Sequence, residues 1–421
     1  MSKQKLVFIG AAGEMAAAAV KGLASAKPEL DLCLTDINAE RVRALARDLP
    51  NPERVTVAAV DLFEESALAD ALVGAGLVVS GAGPFMRTTE PVLRACIAAG
   101  CDYLDYSDDA EAALAALELS DEVARAGIGA FPGVGLSPGY LNVMAVDAAS
   151  ELDQVEEIEL GWYVGDEGKY RYGDAVLAHW VHAIHGEALS WRDGQAVRVP
   201  AYAESRLWEF ADRAVRIYEC AHPEVVTLPR RYPQARAIRI FGGLCYGAIN
   251  GICQGVGQGI DRGEFTAQEG IRFLQDLFDD EPASMRVWPA VMRALADQIA
   301  AGEVAEEETQ AVLAGVFRGE HEPYSTGFAA RVTGLKHGQR VTVQRRSPTT
   351  GPETVLWSSM GQGTGLCAAA GALMLLEDGK PDAGVFCPED WIQPSRFFEA
   401  LTDLGIPRPE VLDTAWEPVS A

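Results

Sequence analysis

An apolar run, Lys5-Leu6-Val7-Phe8-Ile9, ends on Gly10, turns through Ala11-Ala12-Gly13 and opens at Glu14-Met15-Ala16 into an alanine-rich segment. A second apolar run, Leu32-Cys33-Leu34-Thr35, ends on Asp36. This order constrains the fold more than any other feature, because it is that of a buried strand, a tight turn, a helix and a second strand closing on a carboxylate. Gly10 permits the turn, Gly13 lets backbone and phosphate approach with no Cβ between them, and Ala16 is small enough for the helix to lie close on the strand. The helix N-terminus then offers N–H donors to a pyrophosphate. Asp36 follows the turn at the distance where a carboxylate accepts hydrogen bonds from the adenine ribose. Its charge opposes a 2′-phosphate, so NAD is the expected cofactor and NADP the lesser one, with Arg41 and Arg43 speaking for a phosphate. The motif reads G-x-x-G-x-x-A, since Ala12 and Met15 hold two of the places that G-x-G-x-x-G gives to glycine.

Alternation continues beyond this turn. Apolar runs near 5–9, 30–35, 54–60, 77–80, 102–105 and 128–131 are separated by amphipathic segments such as 39–48, 65–73, 89–99 and 110–125. Repeated βα units with mostly apolar strands predict an α/β domain whose parallel sheet is covered on both faces. A chain of 421 residues with 48% hydrophobic residues can bury a full core and is expected to make two domains. Its net charge of −26 argues against nucleic acid or an anionic membrane as partner. Lys3 and Lys5 before an apolar run mimic a signal peptide, but Glu14 interrupts the run. The apolar stretch 365–376 is too short to span a bilayer, so no targeting or membrane segment is expected. Eight cysteines without C-x-x-C spacing read as reduced thiols of a cytoplasmic protein.

After Pro138 the pattern changes. The stretches 155–163 and 237–241 read as strands of an antiparallel sheet, 328–335 and 340–345 as a hairpin turning at Lys336-His337-Gly338, and 244–316 as mostly helical. Tyr170, Arg171, His179, Trp180, His182 and His185 fall together in this part. The H-x-x-H-x-x-H row drifts around a helix and suits a metal poorly, so no metal site is expected. Arg230 and Arg231 offer the bidentate cation that an α-carboxylate needs.

Three further stretches join the N-terminal turn: Gly83-Pro84-Phe85-Met86-Arg87-Thr88-Thr89-Glu90-Pro91-Val92 running on to Gly100-Cys101-Asp102-Tyr103-Leu104-Asp105, then Gly133-Val134-Gly135-Leu136-Ser137-Pro138-Gly139, then 384–404. With them the chain resembles the saccharopine dehydrogenase-like family, well over 1–145, again near 355–405, and loosely between. The resemblance implies a Rossmann-type doubly wound parallel sheet with an inserted α+β substrate and dimerisation domain built on a mainly antiparallel sheet. The implied division is a dinucleotide-binding domain at 1–135, a substrate domain at 136–360, and a C-terminal segment, 361–421, returning to the first. It implies a cytoplasmic, dimeric NAD(P)-dependent enzyme oxidising an amine carbon to an imine, or reducing the imine, on a small amino-acid-like substrate. An enoyl reductase is the rival within the family, and a non-catalytic NAD(H)-binding regulator the rival outside it.

Carried onto this chain, the cofactor-binding positions are Gly10, Ala12, Gly13, Glu14, Met15, Asp36, Ile37, Asp61, Gly81, Ala82, Gly83, Pro84, Phe85, Asp105 and Gly135. Asp105, Tyr106, His179 and His182 are candidates for proton handling, and Tyr170, Arg171, Arg230 and Arg231 for holding the substrate. Ser137 stands where saccharopine reductases have Asp, which turns the expectation from saccharopine toward a lysine-dehydrogenase-like substrate. Ser137 is either catalytic or the cap of the helix that follows. Asp108 or Asp109 reads as the N-cap of the next alanine-rich helix.

Overall fold

The computed structural model describes residues 5–165, 173–279, 281–316, 318 and 324–413. The expected substrate residues Tyr170 and Arg171 lie outside them. The chain divides into two compact units, one holding 5–150, 226–231 and 360–412, the other 151–225, 232–359 and Asp413.

The first unit opens with β1 (Lys5–Ile9), α1 (Glu14–Ala26), β2 (Asp31–Asp36), α2 (Ala39–Arg47), β3 (Val55–Ala59), α3 (Glu65–Leu72), β4 (Ala75–Ser80), α4 (Phe85–Ala99) and β5 (Asp102–Asp105). Then follow α5 (Ala110–Glu118), α6 (Ser120–Ala126), β6 (Gly129–Phe131) and α7 (Tyr140–Ala149). The single helix expected over 110–125 is thus two, broken at Leu119. Leu6, Val7 and Phe8 in β1 and Val78 and Val79 in β4 are fully buried. Each such side chain contributes about 1.5–3 kcal/mol when it leaves water, which is why the strands read as unbroken apolar runs. α7 stays with this unit, whose first stretch ends at Ser150.

The second unit contains β7 (Gln154–Val164), α8 (Asp174–Ile184), β8 (Glu187–Arg192), β9 (Gln195–Pro200), β10 (Ser205–Glu209) and β11 (Ala214–Glu219), followed by α9 (Glu224–Arg231), whose last six residues belong to the first unit. Next come β12 (Ala237–Leu244), α10 (Gly247–Asp261), α11 (Ala267–Phe278), α12 (Trp288–Ala300), α13 (Glu306–Val316), β13 (Thr326–Lys336) and β14 (Gln339–Arg346). The sheet runs β10-β11-β12-β7-β13-β14, with β8 pairing β12 and β9. It is mainly antiparallel, but β12 lies parallel to β7, Ile238 opposite Ile158. The sheet is thus mainly antiparallel as expected, and the one parallel pair was not legible because alternation specifies which face a residue takes, not which way the neighbouring strand runs. The β13–β14 hairpin turns at His337 and Gly338 with φ of 53° and 78°, the two left-handed residues of a tight hairpin loop.

The chain then re-enters the first unit as α14 (Met360–Asp378), β15 (Gly384–Val385), α15 (Pro388–Trp391) and α16 (Pro394–Asp403). β15 pairs parallel with β6 and completes a seven-stranded parallel sheet ordered β15-β6-β5-β4-β1-β2-β3. α14 packs along α1 at backbone distance: a Cβ on Gly365 would stand 2.2 Å from the Met15 carbonyl oxygen and 2.7 Å from the Ala18 Cβ. Glycine and alanine on the two facing stripes make that approach possible, and a leucine at 365 would force the helices apart. Among the described residues no helix is long and apolar enough to cross a membrane.

Candidate dinucleotide site and the clusters around it

The turn after β1 is held by backbone and by one carboxylate. Gly10 has φ +74°, and a Cβ on it would lie 2.8 Å from the Ala82 nitrogen, so both its conformation and its space demand glycine. Ala11 N–H donates to the Thr35 carbonyl at 2.9 Å and Gly13 N–H to the Gly10 carbonyl at 3.0 Å. Ala12 N–H donates to Asp36 Oδ2 at 3.1 Å, and Asn38 N–H to Asp36 Oδ1 at 2.8 Å. The acid at the end of β2 therefore also ties down the glycine turn. Gly13 is the N-cap of α1 and no side chain caps that helix, whose first turn, like that of any helix, directs N–H groups with no intrahelical acceptor outward. Met15 gives its carbonyl side to the α14 crossing, and the Glu14 carboxyl lies against Gly361 in the first turn of α14, where a helix N-terminus favours an anion.

Beside this turn, Val60 N–H bonds to the Asp36 carbonyl at 3.0 Å, which brings the residues after β2 and β3 side by side. Ile37 is 78% exposed and Phe63 55% exposed there. Asp61 Oδ1 accepts from Phe63 N–H at 3.0 Å, and the Arg87 guanidinium sits 5.9 Å from the Phe63 ring centre. Two large apolar side chains left in water at the mouth of a nucleotide turn are suited to an aromatic base. Phe63 escaped the sequence reading because an aromatic in an acidic loop carries no motif.

The loop after β4 runs Gly81-Ala82-Gly83-Pro84 into α4, with Pro84 as N-cap. Gly81 N–H extends the pairing to the Ile9 carbonyl at 2.8 Å. A Cβ on Gly81 would lie 2.0 Å from the Tyr106 hydroxyl and 3.0 Å from the Ala16 Cβ. Tyr106 thus lays its phenol on the nucleotide loop, its ring edge-on to Phe85 at 5.5 Å. Burial, with the Asp105 charge adding to it, pushes this phenol far above its usual range. Its protonated form is thereby favoured.

Asp105 is fully buried and accepts from four donors: Tyr103 Oη at 2.5 Å, Thr89 Oγ1 at 3.3 Å, Ser107 N at 2.9 Å and Gly133 N at 2.8 Å. Burial raises its carboxyl above the ordinary value, opposed first by the Tyr103 hydroxyl and then by backbone donors. Four internal donors make it a strut between β5 and the 133–139 loop. That loop closes on itself: Tyr140 N–H reaches the Gly135 carbonyl at 2.8 Å, and a Cβ on Gly139, at φ +117°, would meet that same oxygen at 2.1 Å. Gly135 stands 3.2 Å from the Tyr106 Cβ by the same measure. The helix cap expected of Ser137 falls elsewhere. Gly139 is the N-cap of α7, its N–H bonded to Asn142 Oδ1 at 3.0 Å, and Ser137 is the half-buried residue of an otherwise buried loop. Asp109 does occupy the N-cap of α5, but its carboxylate accepts from Met86 N–H, at 3.2 Å, at the start of α4.

In the second unit the histidines separate. His222, absent from the sequence reading, is buried and bonds through Nδ1 to the buried Glu224 carboxylate at 2.6 Å. The His179 ring lies edge-on to it at 5.7 Å, and the Trp162 ring is tilted against it at 5.9 Å. His182 turns instead toward His185, at 6.3 Å, and His185 Nδ1 binds the Val181 carbonyl at 2.5 Å. The signal that reveals His222 is the spacing His222-Pro223-Glu224, an imidazole with a carboxylate two residues on.

Arg230 and Arg231 also part company. Arg230 Nη1 donates to Asp390 Oδ2 at 3.0 Å, so this fork already grips a carboxylate of its own chain. Arg231 lines a cavity of about 340 Å³ between α7 and residues 389–395.

Residues 6–131 match the model of the saccharopine dehydrogenase NADP binding domain. The carboxyaminopropylagmatine dehydrogenase of Synechocystis sp. is 24% identical over 441 aligned residues, which cover 97% of this chain and 98% of that protein. The apo saccharopine dehydrogenase (L-Glu forming) of Saccharomyces cerevisiae superposes with a TM-score of 0.63 at 16% identity, over 96% of this chain and 98% of the yeast one. At that identity the likeness establishes the fold. Residues 6–131 thus match a saccharopine dehydrogenase NADP binding domain, and the chain has the fold of a saccharopine dehydrogenase along its length.

Proposed function

We propose that the chain is an NAD-dependent oxidoreductase acting on the carbon–nitrogen centre of an amino acid or of an imine derived from one. The observation that carries this reading is the Gly10–Gly13 turn, open at the N-terminus of α1 and locked to Asp36 through Ala12 N–H. A relative that aligns end to end is a dehydrogenase named for a compound with both carboxyl and amino groups, which supports hydride chemistry on an amino-acid-derived amine. Asp36 supports NAD, since its charge at the end of β2 would oppose a 2′-phosphate. The exposed Arg41, and a family domain described as NADP-binding, are what weigh on the other side.

The dinucleotide fits the residues present: the glycine places would be filled by any Cβ, and the α1 N-terminus would hold the pyrophosphate. When bound, the nicotinamide supplies hydride acceptance or donation at the substrate carbon. The remaining work falls to side chains. Tyr106, whose protonated form burial favours, would offer its hydroxyl as a donor beside Gly81. Asp105 fixes β5 and the Gly133–Gly139 loop so that Tyr106 and Gly135 keep their places. Oxidation of an amine also requires a base for the proton of the ammonium form. Within the second unit His222 is equipped for that: Glu224 holds Nδ1 and leaves Nε2 to exchange a proton, the arrangement by which carboxylates orient catalytic imidazoles. We assign that role to His222 with His179 beside it, and not to His182.

The decisive experiment is NADH formation by the full chain with NAD and a panel of L-amino acids and aminoalkyl amines, with imine reduction assayed in reverse. Turnover of one amine, lost in His222→Gln with NADH binding retained, is the expected result. Turnover of a conjugated alkene, with every amine and imine inert, overturns the reading.

A further inference from the structure

Beside the nucleotide turn one basic side chain stands where its own helix gives it no reason to be. Arg87 is the third residue of α4, whose first turn carries no acid, and a cation in that place opposes the helix dipole. The acid one turn on, Glu90, gives its carboxylate to Arg94 Nε at 2.9 Å. Among the described residues the exposed Arg87 guanidinium makes no ion pair and no hydrogen bond. What it faces is the Phe63 ring, 5.9 Å from the ring centre. A turn holds that ring out: Asp61 Oδ1 accepts from Phe63 N–H and the Asp61 carbonyl from Glu64 N–H, both at 3.0 Å. Phe63 stays 55% exposed, and Ile37, just past the end of the neighbouring strand, 78% exposed.

Two large apolar side chains and a planar cation, all open to water, have one common complement. The faces of a purine gain by covering apolar surface. A guanidinium stacks on an aromatic face while its edge N–H groups stay hydrated. A cation–π contact in water is weak, so Arg87 can leave the Phe63 ring for a base laid beside it at little cost. A pyrophosphate or a 2′-phosphate would also draw a cation, but neither calls for Ile37 and Phe63.

We infer that Arg87 binds the adenine of the dinucleotide, closing over the base from α4 while Ile37 and Phe63 seat it from the ends of β2 and β3. This assignment rests on the nucleotide reading of the Gly10–Gly13 turn and adds to it a contact from a different helix. It concerns the base alone, so the choice between NAD and NADP stays with Asp36 and Arg41.

The test is calorimetric titration of the full-length protein with three probes, none of which needs turnover. They are NADH, ADP-ribose, which keeps the adenine and lacks the nicotinamide, and reduced nicotinamide mononucleotide, which lacks the adenine. Arg87→Ala and Phe63→Ala should each weaken NADH and ADP-ribose about tenfold and change the mononucleotide by less than about twofold. Arg87→Lys should recover little of the loss, because a point charge does not stack as a plane does. The ratio of NADPH to NADH affinity should hold in Arg87→Ala. A ratio that falls assigns Arg87 to the 2′-phosphate and overturns the inference. Equal losses of NADH and the mononucleotide, or an Arg87→Ala titration identical to wild type, overturn it as well. Both side chains are exposed, so their variants keep the fold. Wild-type protein that binds neither NADH nor ADP-ribose at about 10 mM would instead end the nucleotide reading itself, and the assignment of Arg87 with it.

Discussion

The Gly10–Gly13 turn and the Asp105 cluster stand at the C-terminal ends of strands in one parallel sheet, yet opposite means build them. In the turn the working groups are backbone N–H groups, and side chains are required mainly to be absent: a Cβ on Gly10 or Gly81 strikes backbone or the Tyr106 hydroxyl at 2.8 Å or less. At Asp105 a single carboxylate gathers two backbone N–H groups and two hydroxyls in full burial. The first region leaves its donors open to a ligand, and the second uses up its acceptor capacity internally. Position at a strand end is therefore not enough to make an acid catalytic. What matters is whether its lone pairs remain unclaimed.

The largest expected effect breaks the strut. Asp105→Asn replaces one acceptor oxygen by an NH₂ group that must face a donor, which costs about 3 kcal/mol of stability. Thermal unfolding should show a clear fall in Tm with NADH affinity little changed in the protein that remains folded. An unchanged Tm with turnover abolished would reverse the comparison and make Asp105 the proton acceptor after all.

Next is the open side. Gly81→Ala puts a methyl on the Tyr106 hydroxyl and should weaken NADH binding about a hundredfold, near 2.7 kcal/mol. Adding Tyr106→Phe removes the nearest clashing atom but leaves the ring carbon at 3.0 Å, so the double variant should recover part of the loss. If the two losses simply add, the phenol does not lie on the loop.

These two regions also differ in how far the sequence could be read. The turn was legible because each of its requirements is local: a strand, two glycines, a helix and an acid follow one another within 36 residues. The β13–β14 hairpin was legible for the same reason. The Asp105 strut was not, because Gly133, one of its donors, comes 28 residues later, and nothing in a run reading Asp-Tyr-Leu-Asp says that its last carboxylate turns inward. The pairing of Arg230 with Asp390 was not legible either, because the two lie 160 residues apart. The strands between Glu187 and Glu219 were passed over since β9 and β10 are half exposed, which blurs the alternation that marks a strand.

Glu389 sharpens the contrast from a third position, since its burial outweighs the partners it has, Thr227 and Asn142. Its carboxyl is raised by burial from 4.5 to about 7. The folded state therefore holds its proton more tightly than the unfolded chain. The stability this contributes is fully present below about pH 4.5 and is lost as pH rises through about 7. Between pH 5 and 7 the loss should come to about 2 kcal/mol, and Glu389→Gln should flatten that part of the Tm profile. A wild-type profile already flat there would mean that the carboxylate is ionised and satisfied, like a surface acid.

The smallest effect tests which part of the turn chooses the cofactor. Asp36 has two tasks in one side chain: it holds Ala12 N–H through Oδ2 and Asn38 N–H through Oδ1, and it presents negative charge toward the ribose. Asp36→Asn keeps an acceptor oxygen for one of those N–H groups and removes the charge. If charge sets the preference, NADPH should gain on NADH by about tenfold, near 1.4 kcal/mol, with Arg41 free to receive the phosphate. The double variant Asp36→Asn/Arg41→Ala should then give most of that gain back. If Asp36 acts mainly as a fastener of the turn, both nucleotides should weaken together and their ratio should hold. Wild-type protein that already binds NADPH more tightly than NADH would show that Arg41 outweighs Asp36. The turn would then still be a nucleotide site, but its acid would belong with Asp105 among the struts.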